Sequence, residues 1–225
     1  RAPPDGLRGS WAGAMGQTQF MPSSFMAWAV DQDGDGRRNI WTSIPDSLGS
    51  TANFLKGHGW VRGLPWGVEI TLPAHYPFKL IQGDFSAFAK AGVKRADGRP
   101  LPAHGQARLF FPSNARGPVF LVTANFDVIR QYNASDAYAL AVAHLGDRIK
   151  GGKNFVAAWP VSEPQLDQDG RIELQKRLAA KGYDVGEADG RIGSKTRAAI
   201  RQEQSKHNLV PDGWPSPAIL TLLRQ

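Results

Sequence analysis

The chain has 225 residues, 41% of them hydrophobic and 21% charged, which suits one large or two smaller soluble domains and excludes a disordered or fibrous protein. No apolar run reaches the ~18–20 residues that a membrane-spanning helix needs, and with no cysteine there is no disulfide, thiolate metal site or thiol nucleophile. The net charge of +7 favours acidic polymers, but Lys and Arg are spread without a basic run, which argues against nucleic acid and leaves a carboxylate-bearing polymer or a merely solvated surface.

Arg1-Ala-Pro-Pro-Asp5 has no signal-peptide character and reads as a processed end or the interior of a longer protein. Next comes Gly9-Ser-Trp-Ala-Gly-Ala-Met-Gly-Gln-Thr-Gln-Phe-Met-Pro-Ser-Ser24. Its small residues allow close backbone approach. Its amides (Gln17, Gln19) and hydroxyls (Ser23, Ser24) both donate and accept, which suits a neutral, hydroxyl-rich ligand such as a sugar. The motif contains no acid. A helix follows from near Pro22 to Val30, because Pro is tolerated in a first turn. Pro45-Asp46 opens another over Ser47–Gly57, with Leu48, Thr51, Ala52 and Leu55 on its apolar face and His58-Gly59 as its stop.

Between these helices lies Asp31-Gln-Asp33-Gly-Asp35-Gly36-Arg-Arg-Asn-Ile40. Oxygen ligands at positions 1, 3 and 5, Gly at 6 and an apolar residue at 10 match an EF-hand-type calcium loop. The Arg37 carbonyl would be the position-7 ligand. Position 12 is Thr42, so Asp46 would have to close a stretched loop. The competing reading is an Asp/Gly turn without metal. A second Asp167-Gln-Asp169-Gly170 has Arg171 at the third ligand position and reads as a linker and helix cap.

Residues 62–125 change character. Val68–Leu72 alternates like a strand, and Leu109–Phe111 and Val119–Thr123 are short β-type runs. Asp84–Ala91 reads as one short helix. Helical pattern returns at Asn125–Arg130 and Ser135–Ile149. In the latter Ser135 is the N-cap, and Ala137, Leu140, Ala141, His144 and Leu145 share a face. Tyr132-Asn133, an aromatic face with an amide, is either a sugar platform or ordinary core. The segment 158–165 reads as a linker. Beyond it Ile172–Leu178, Thr196–Gln204 and Ser216–Leu223 form a three-helix unit with turns at Asp189–Gly193 and Pro211–Gly213. The resulting fold class is α+β, mainly α: a helical core from residues 1–61 and 126–157, a small antiparallel β subdomain inserted at 62–125, and a C-terminal three-helix module at 166–225.

Glycoside chemistry needs carboxyls beside the scissile bond. Asp31, Asp33, Asp35 and Asp46 are assigned to the loop, Glu69 lies in a strand, and Glu163, Glu173, Glu187 and Glu203 lie in or beyond the linker. The histidines lack zinc-hydrolase spacing, and His58 and His144 read as packed helix residues.

The Gly9–Ser24 motif, the Asp-Gly loop, Asp46–Phe54, His58-Gly-Trp60 and Tyr132–Ser135, in that order, resemble the membrane-bound lytic transglycosylase B family, glycoside hydrolase family 103, over roughly residues 7–157. Leu174–Leu178, Gly182-Tyr183, Asp189–Gly193, Thr196–Ile200 and Pro211–Gly213 resemble a peptidoglycan-binding module. The resemblance implies a lysozyme-like core. It also implies non-hydrolytic cleavage of the β-1,4 bond between N-acetylmuramic acid and N-acetylglucosamine, giving a 1,6-anhydro end. One glutamate would act as acid and then base, in a Glu-Ser-x-x-Gly motif that these residues do not contain and that is expected upstream of Arg1. Ser10, Gln19, Tyr132 and Asn133 match sugar-binding positions, as does Phe54, which stands where a Tyr is common. Asp31, Asp33, Asp35, Arg37 and Asp46 match a metal loop, implying a structural Ca2+ unnecessary for the chemistry. The implied partners are glycan strands, an N-terminal segment of the same protein and other cell-wall enzymes. The implied location is the periplasm or outer membrane of a Gram-negative bacterium. The alternative is a non-catalytic wall-binding protein on the same fold.

Overall fold

A computed structural model describes residues 9–225; residues 1–8, and with them Asp5, lie outside the described residues. Helix α1 (Pro22–Trp28) starts with Pro22 inside its first turn, where the fixed φ of proline suits the helix and no N–H is wasted. Helix α2 (Ile44–Gly57) is capped by Ser43, whose Oγ accepts from Asp46 N at 3.2 Å. Its inner face differs from the expected one. Asp46, Ser47, Ser50 and Phe54 are buried, whereas Leu48 is 67% exposed and Ala52 is exposed too. The face packs against the backbone of the 30–40 loop, which needs hydrogen-bond partners rather than methyl groups. Ser50 Oγ accepts from Val30 N, and Ser47 Oγ donates to Ile40 O.

Five strands follow: β1 (Gly67–Thr71), β2 (Gln82–Asp84), β3 (Lys94–Arg95), β4 (Gln106–Phe110) and β5 (Val119–Val122). They form one antiparallel sheet in the order β2-β4-β5-β1-β3, with Ile70 opposite Val119 and Arg108 opposite Val122. Helix α3 (Phe85–Lys90) lies between β2 and β3, capped by Asp84, which accepts from Ser86 N. Val68, Ile70, Val119 and Leu121 pack on Phe85 and Phe88. The central strand β5 is buried on both faces, and its Phe120 meets Trp66 and Phe155 on the other side. β2 and β3 were not expected, because Gln-Gly-Asp and Lys-Arg are too short and polar to show a period.

Helix α4 (Ala124–Tyr132) is anchored by fully buried Asn125. Its Oδ1 accepts from Val61 N, and its Nδ2 donates to Val61 O and Leu64 O. Helix α5 (Asp136–Ile149) is capped by Ser135, as expected, through Tyr138 N at 3.3 Å. Its buried residues are Ala139, Leu140 and Ala143, while Ala137, Ala141 and Leu145 are exposed. Both faces carry alanine and leucine, so periodicity alone could not choose between them. His144 stacks on Phe155 with ring centres 3.9 Å apart, as a packed residue.

Helices α6 (Gln168–Ala180), α7 (Ser194–Lys206) and α8 (Pro217–Arg224) enclose a separate apolar core of Leu174, Leu178, Val185, Ala199, Ile200, Ile219, Leu220 and Leu223. Buried Gln175 pins the 187–191 turn: its Oε1 accepts from Gly190 N, and its Nε2 donates to Glu187 O and Arg191 O. The chain falls into two compact units. One holds residues up to Leu64 together with Ala124–Ala139, and the other holds Pro65–Thr123 with Leu140–Gln225. The mainly helical α+β class with a small antiparallel sheet and a C-terminal helical module is the class expected from sequence.

Candidate functional site

The Gly9–Phe20 segment folds back on itself. Ser10 N donates to Ala14 O, and Met15 and Phe20 exchange both backbone hydrogen bonds. Glycine is required twice: a Cβ on Gly9 would lie 2.5 Å from Ala14 O, and one on Gly16 would lie 2.6 Å from Ile40 O. Gln19 adopts a left-handed conformation (φ 51°), which its own amide supports by donating to Gly16 O at 2.9 Å. These turns open a groove of ≈ 470 Å³ lined by Gly9, Ser10, Gly16, Gln17, Gln19 and Trp41. Gln17 is fixed to the far wall, its Nε2 donating to Trp41 O at 3.1 Å. Ser10 and Gln19 therefore share one cleft, as their residue types suggested. Gln17 and Trp41 complete it. The amide of Gln17 was visible in the motif, but nothing local marked Trp41 among the other tryptophans.

The remaining predicted sugar contacts lie elsewhere. Phe54 is only 6% exposed and belongs to the core, 5.7 Å from Phe20, 5.0 Å from Tyr132 and stacked at 4.0 Å on His58. Tyr132 is half-buried behind the groove, and its hydroxyl donates to Thr18 O. Burial pushes that hydroxyl's pKa above its ordinary value, so it stays a donor. That bond ties α4 to Thr18, the residue between Gln17 and Gln19 of the groove lining. Asn133 is exposed, and its Oδ1 accepts from Ser135 N at 3.0 Å, setting the turn between α4 and α5. None of these three lines the groove.

The Asp-Gly loop gathers its acids. Asp31 accepts from Gly34 N at 2.7 Å and Gly36 N at 2.8 Å; Asp35 accepts from Arg37 N at 2.8 Å. Gly34 (φ 79°) and Gly36 (φ 85°) supply the left-handed corners. Carboxylate oxygens of Asp31, Asp33 and Asp35 lie within 4.8 Å of one another. Hard oxygens at this spacing fit a divalent cation such as calcium. The fourth predicted acid, Asp46, is not in that group. Fully buried, it accepts from Gln32 N (2.7 Å), Asp33 N (3.4 Å) and Asn39 N (2.7 Å), so it holds both ends of the loop from beneath. The Asn39 hydrogen bond is the largest influence on its carboxyl and, with those from Gln32 and Asp33, outweighs burial and lowers its pKa.

The model of the family described as "Transglycosylase SLT domain" matches residues 1–147 of this chain. The chain belongs to that family. A second model, "Putative peptidoglycan binding domain", matches residues 167–223. Membrane-bound lytic murein transglycosylase B of Escherichia coli is 40% identical over 152 residues, which are 65% of this chain and 40% of that protein. SltB3 of Pseudomonas aeruginosa, solved in complex with NAG-anhNAM-pentapeptide, is 48% identical with a TM-score of 0.88, covering 100% of this chain and 62% of that one. The E. coli lytic transglycosylase Slt35, solved in complex with calcium, is 37% identical with a TM-score of 0.50, covering 64% of this chain and 46% of that one. The chain thus spans less than two thirds of the length of these relatives. Its fold is that of lysozyme-like lytic transglycosylases with a C-terminal peptidoglycan-binding domain.

Proposed function

We propose that this chain is the glycan-gripping and wall-binding part of a lytic transglycosylase that cleaves the β-1,4 MurNAc–GlcNAc bond and leaves 1,6-anhydroMurNAc ends. The observation that carries the reading is the groove of amides, a hydroxyl, glycines and one indole in the unit that matches the family. Neutral donors and acceptors orient sugar hydroxyls without competing for a proton, and an indole edge offers an apolar surface to the sugar ring. Intramolecular attack by the muramyl 6-hydroxyl depends on orientation and exclusion of water more than on a second carboxylate. The reaction still needs one acid–base group. All five glutamates lie outside residues 1–64 and 124–139. Glu69 accepts from Val156 N and Ala157 N, Glu163 pairs with Arg116, and Glu173 pairs with Arg177 and Arg224. We therefore assign the acid–base glutamate to the part of the relatives' length that these 225 residues do not span.

Asp31, Asp33, Asp35 and the Arg37 carbonyl would hold a calcium-class cation, with Asp46 fastening the loop from below. Such a cation would supply rigidity next to the groove and no step of the reaction. The domain division proposed is the one read from sequence, with the module at 166–225 anchoring the protein on peptidoglycan in the periplasm or at the outer membrane. No described helix is long and apolar enough to cross a membrane.

The test is incubation of the 225-residue chain with purified sacculi, followed by sedimentation and mass spectrometry of the supernatant. The expected result is co-sedimentation without soluble anhydromuropeptides. Release of anhydromuropeptides would overturn the assignment of the acid–base group, and failure to sediment would overturn the wall-binding reading.

A further inference from the structure

Trp11 follows Ser10 directly and is the most exposed large apolar residue among those described, with a relative accessibility of 101%. None of the other six tryptophans exceeds 42%. Packing normally takes most of an indole out of water, and Trp11 makes no hydrogen bond or ring contact among the described residues.

The turn that carries this side chain is well braced. Gly13 N donates to Ser10 O at 2.9 Å, Ser10 N donates to Ala14 O at 2.8 Å, and Ala14 N donates to Ser10 Oγ at 3.1 Å. Antiparallel bridges from Met15 to Gly9 and to Phe20 tie the strands beneath it. Trp11 therefore stands at the tip of a fixed turn whose base, Gly9 and Ser10, lines the groove. With the backbone held and only two side-chain torsions to order, such an indole offers a large contact area at little entropic cost. The groove itself, at ≈ 470 Å³, has the size of a small-ligand site. A polymer seated in it must continue past its rim. A sugar ring presents a face of C–H groups, and the face of an aromatic ring is the natural partner for it.

We propose that Trp11 is a second glycan contact, an aromatic platform on the groove's rim that stacks on a sugar next to the one held by Ser10, Gln17 and Gln19. This inference rests on the reading of the groove as a glycan site and extends it. It gives the site a preference for strands over short oligosaccharides, because only a ligand that runs out of the groove reaches the indole.

The experiment is a 1H–15N titration of the 225-residue chain with two peptide-free ligands, the GlcNAc–MurNAc disaccharide and the hexasaccharide of the same repeat. The readouts are the backbone amides of Ser10, Gln17 and Gln19 and the indole N–H of Trp11, identified through Trp11→Phe. We expect both ligands to shift the groove amides and only the hexasaccharide to shift the indole. Trp11→Ala should weaken the hexasaccharide about tenfold and leave the disaccharide unchanged, and Trp11→Phe should fall between wild type and Trp11→Ala. A hexasaccharide that shifts the groove amides without the indole would overturn this inference alone. So would unchanged affinity in Trp11→Ala, which would mark the indole as a packing surface for another segment, or an equal loss for both ligands, which would mark it as structural support for the turn. Groove amides that respond to neither ligand would refute the glycan reading itself, and the inference with it.

Discussion

Asp31-Gln-Asp33-Gly34 and Asp167-Gln-Asp169-Gly170 are the same four letters with opposite fates. Both begin identically: the first Asp accepts from the Gly N–H three residues on, at 2.7 Å in one and 2.8 Å in the other. They part at the fifth residue. Asp35, followed by Gly36 in a left-handed conformation, keeps the first chain turning, and three carboxylates collect. Arg171 continues the second chain as α6 and sends its guanidinium to Leu166 O and Gly190 O. The lesson is that an Asp-x-x-Gly cap is locally neutral between loop and helix. The next residue, and what lies beneath, decides. Beneath the first is Asp46 with its three backbone donors; beneath the second is an apolar three-helix core.

The comparison breaks most readily at Asp46. Asp46→Ala leaves the buried N–H groups of Gln32 and Asn39 without acceptors, and it should lower the melting temperature by several degrees in calorimetry. The module of the second tetrad has its own buried acid, Glu203, whose side chain is 1% exposed. Burial pushes its carboxyl up, but hydrogen bonds from Tyr183, Lys181 and Lys206 outweigh this and bring it to about 2. A lowered folded-state pKa means stability that is complete above the ordinary glutamate range and lost as pH falls towards 2. Denaturation profiles between pH 5 and about 2 should show that loss, and Glu203→Gln should flatten it.

Calcium should separate the two tetrads directly. At 100 times its Kd it should stabilise the chain by about 2.7 kcal/mol. Asp31→Asn should abolish that gain, and Asp169→Asn should leave it intact. The smallest effect is expected at the cap: Asp167→Ala should cost about 1 kcal/mol, with no change in the response to calcium.

Much of this was legible in the sequence, for physical reasons. Helix starts at Pro22, Ser43, Asp84, Ser135, Asp167 and Ser216 carry proline or a capping side chain, and these act locally. The Gly9–Ser24 groove was readable because its glycines and amides have few other uses together. Burial by a distant segment was not readable. Ser47 and Ser50 are buried in α2 because the 30–40 loop needs their hydroxyls, Ser50 accepting from Val30 N and Ser47 donating to Ile40 O, and Leu48 and Ala52 of the expected apolar face are therefore exposed. Tyr132 reads in sequence as a sugar platform or as core, and the family resemblance adds Phe54 as a sugar contact, yet both join one aromatic cluster with Phe20. Trp41 joins the groove only because Gln17 reaches across 24 positions to its carbonyl.

The central claim is that the groove between the Gly9–Phe20 turns and Trp41 grips glycan. The most direct measurement is a backbone-amide NMR titration of the 225-residue chain with glycan strands stripped of peptide. The account predicts perturbations centred on Ser10, Gln17, Gln19 and Trp41, with binding weakened several-fold by Gln19→Ala. Perturbations confined to residues outside the groove, or unchanged affinity in Gln19→Ala, would contradict it.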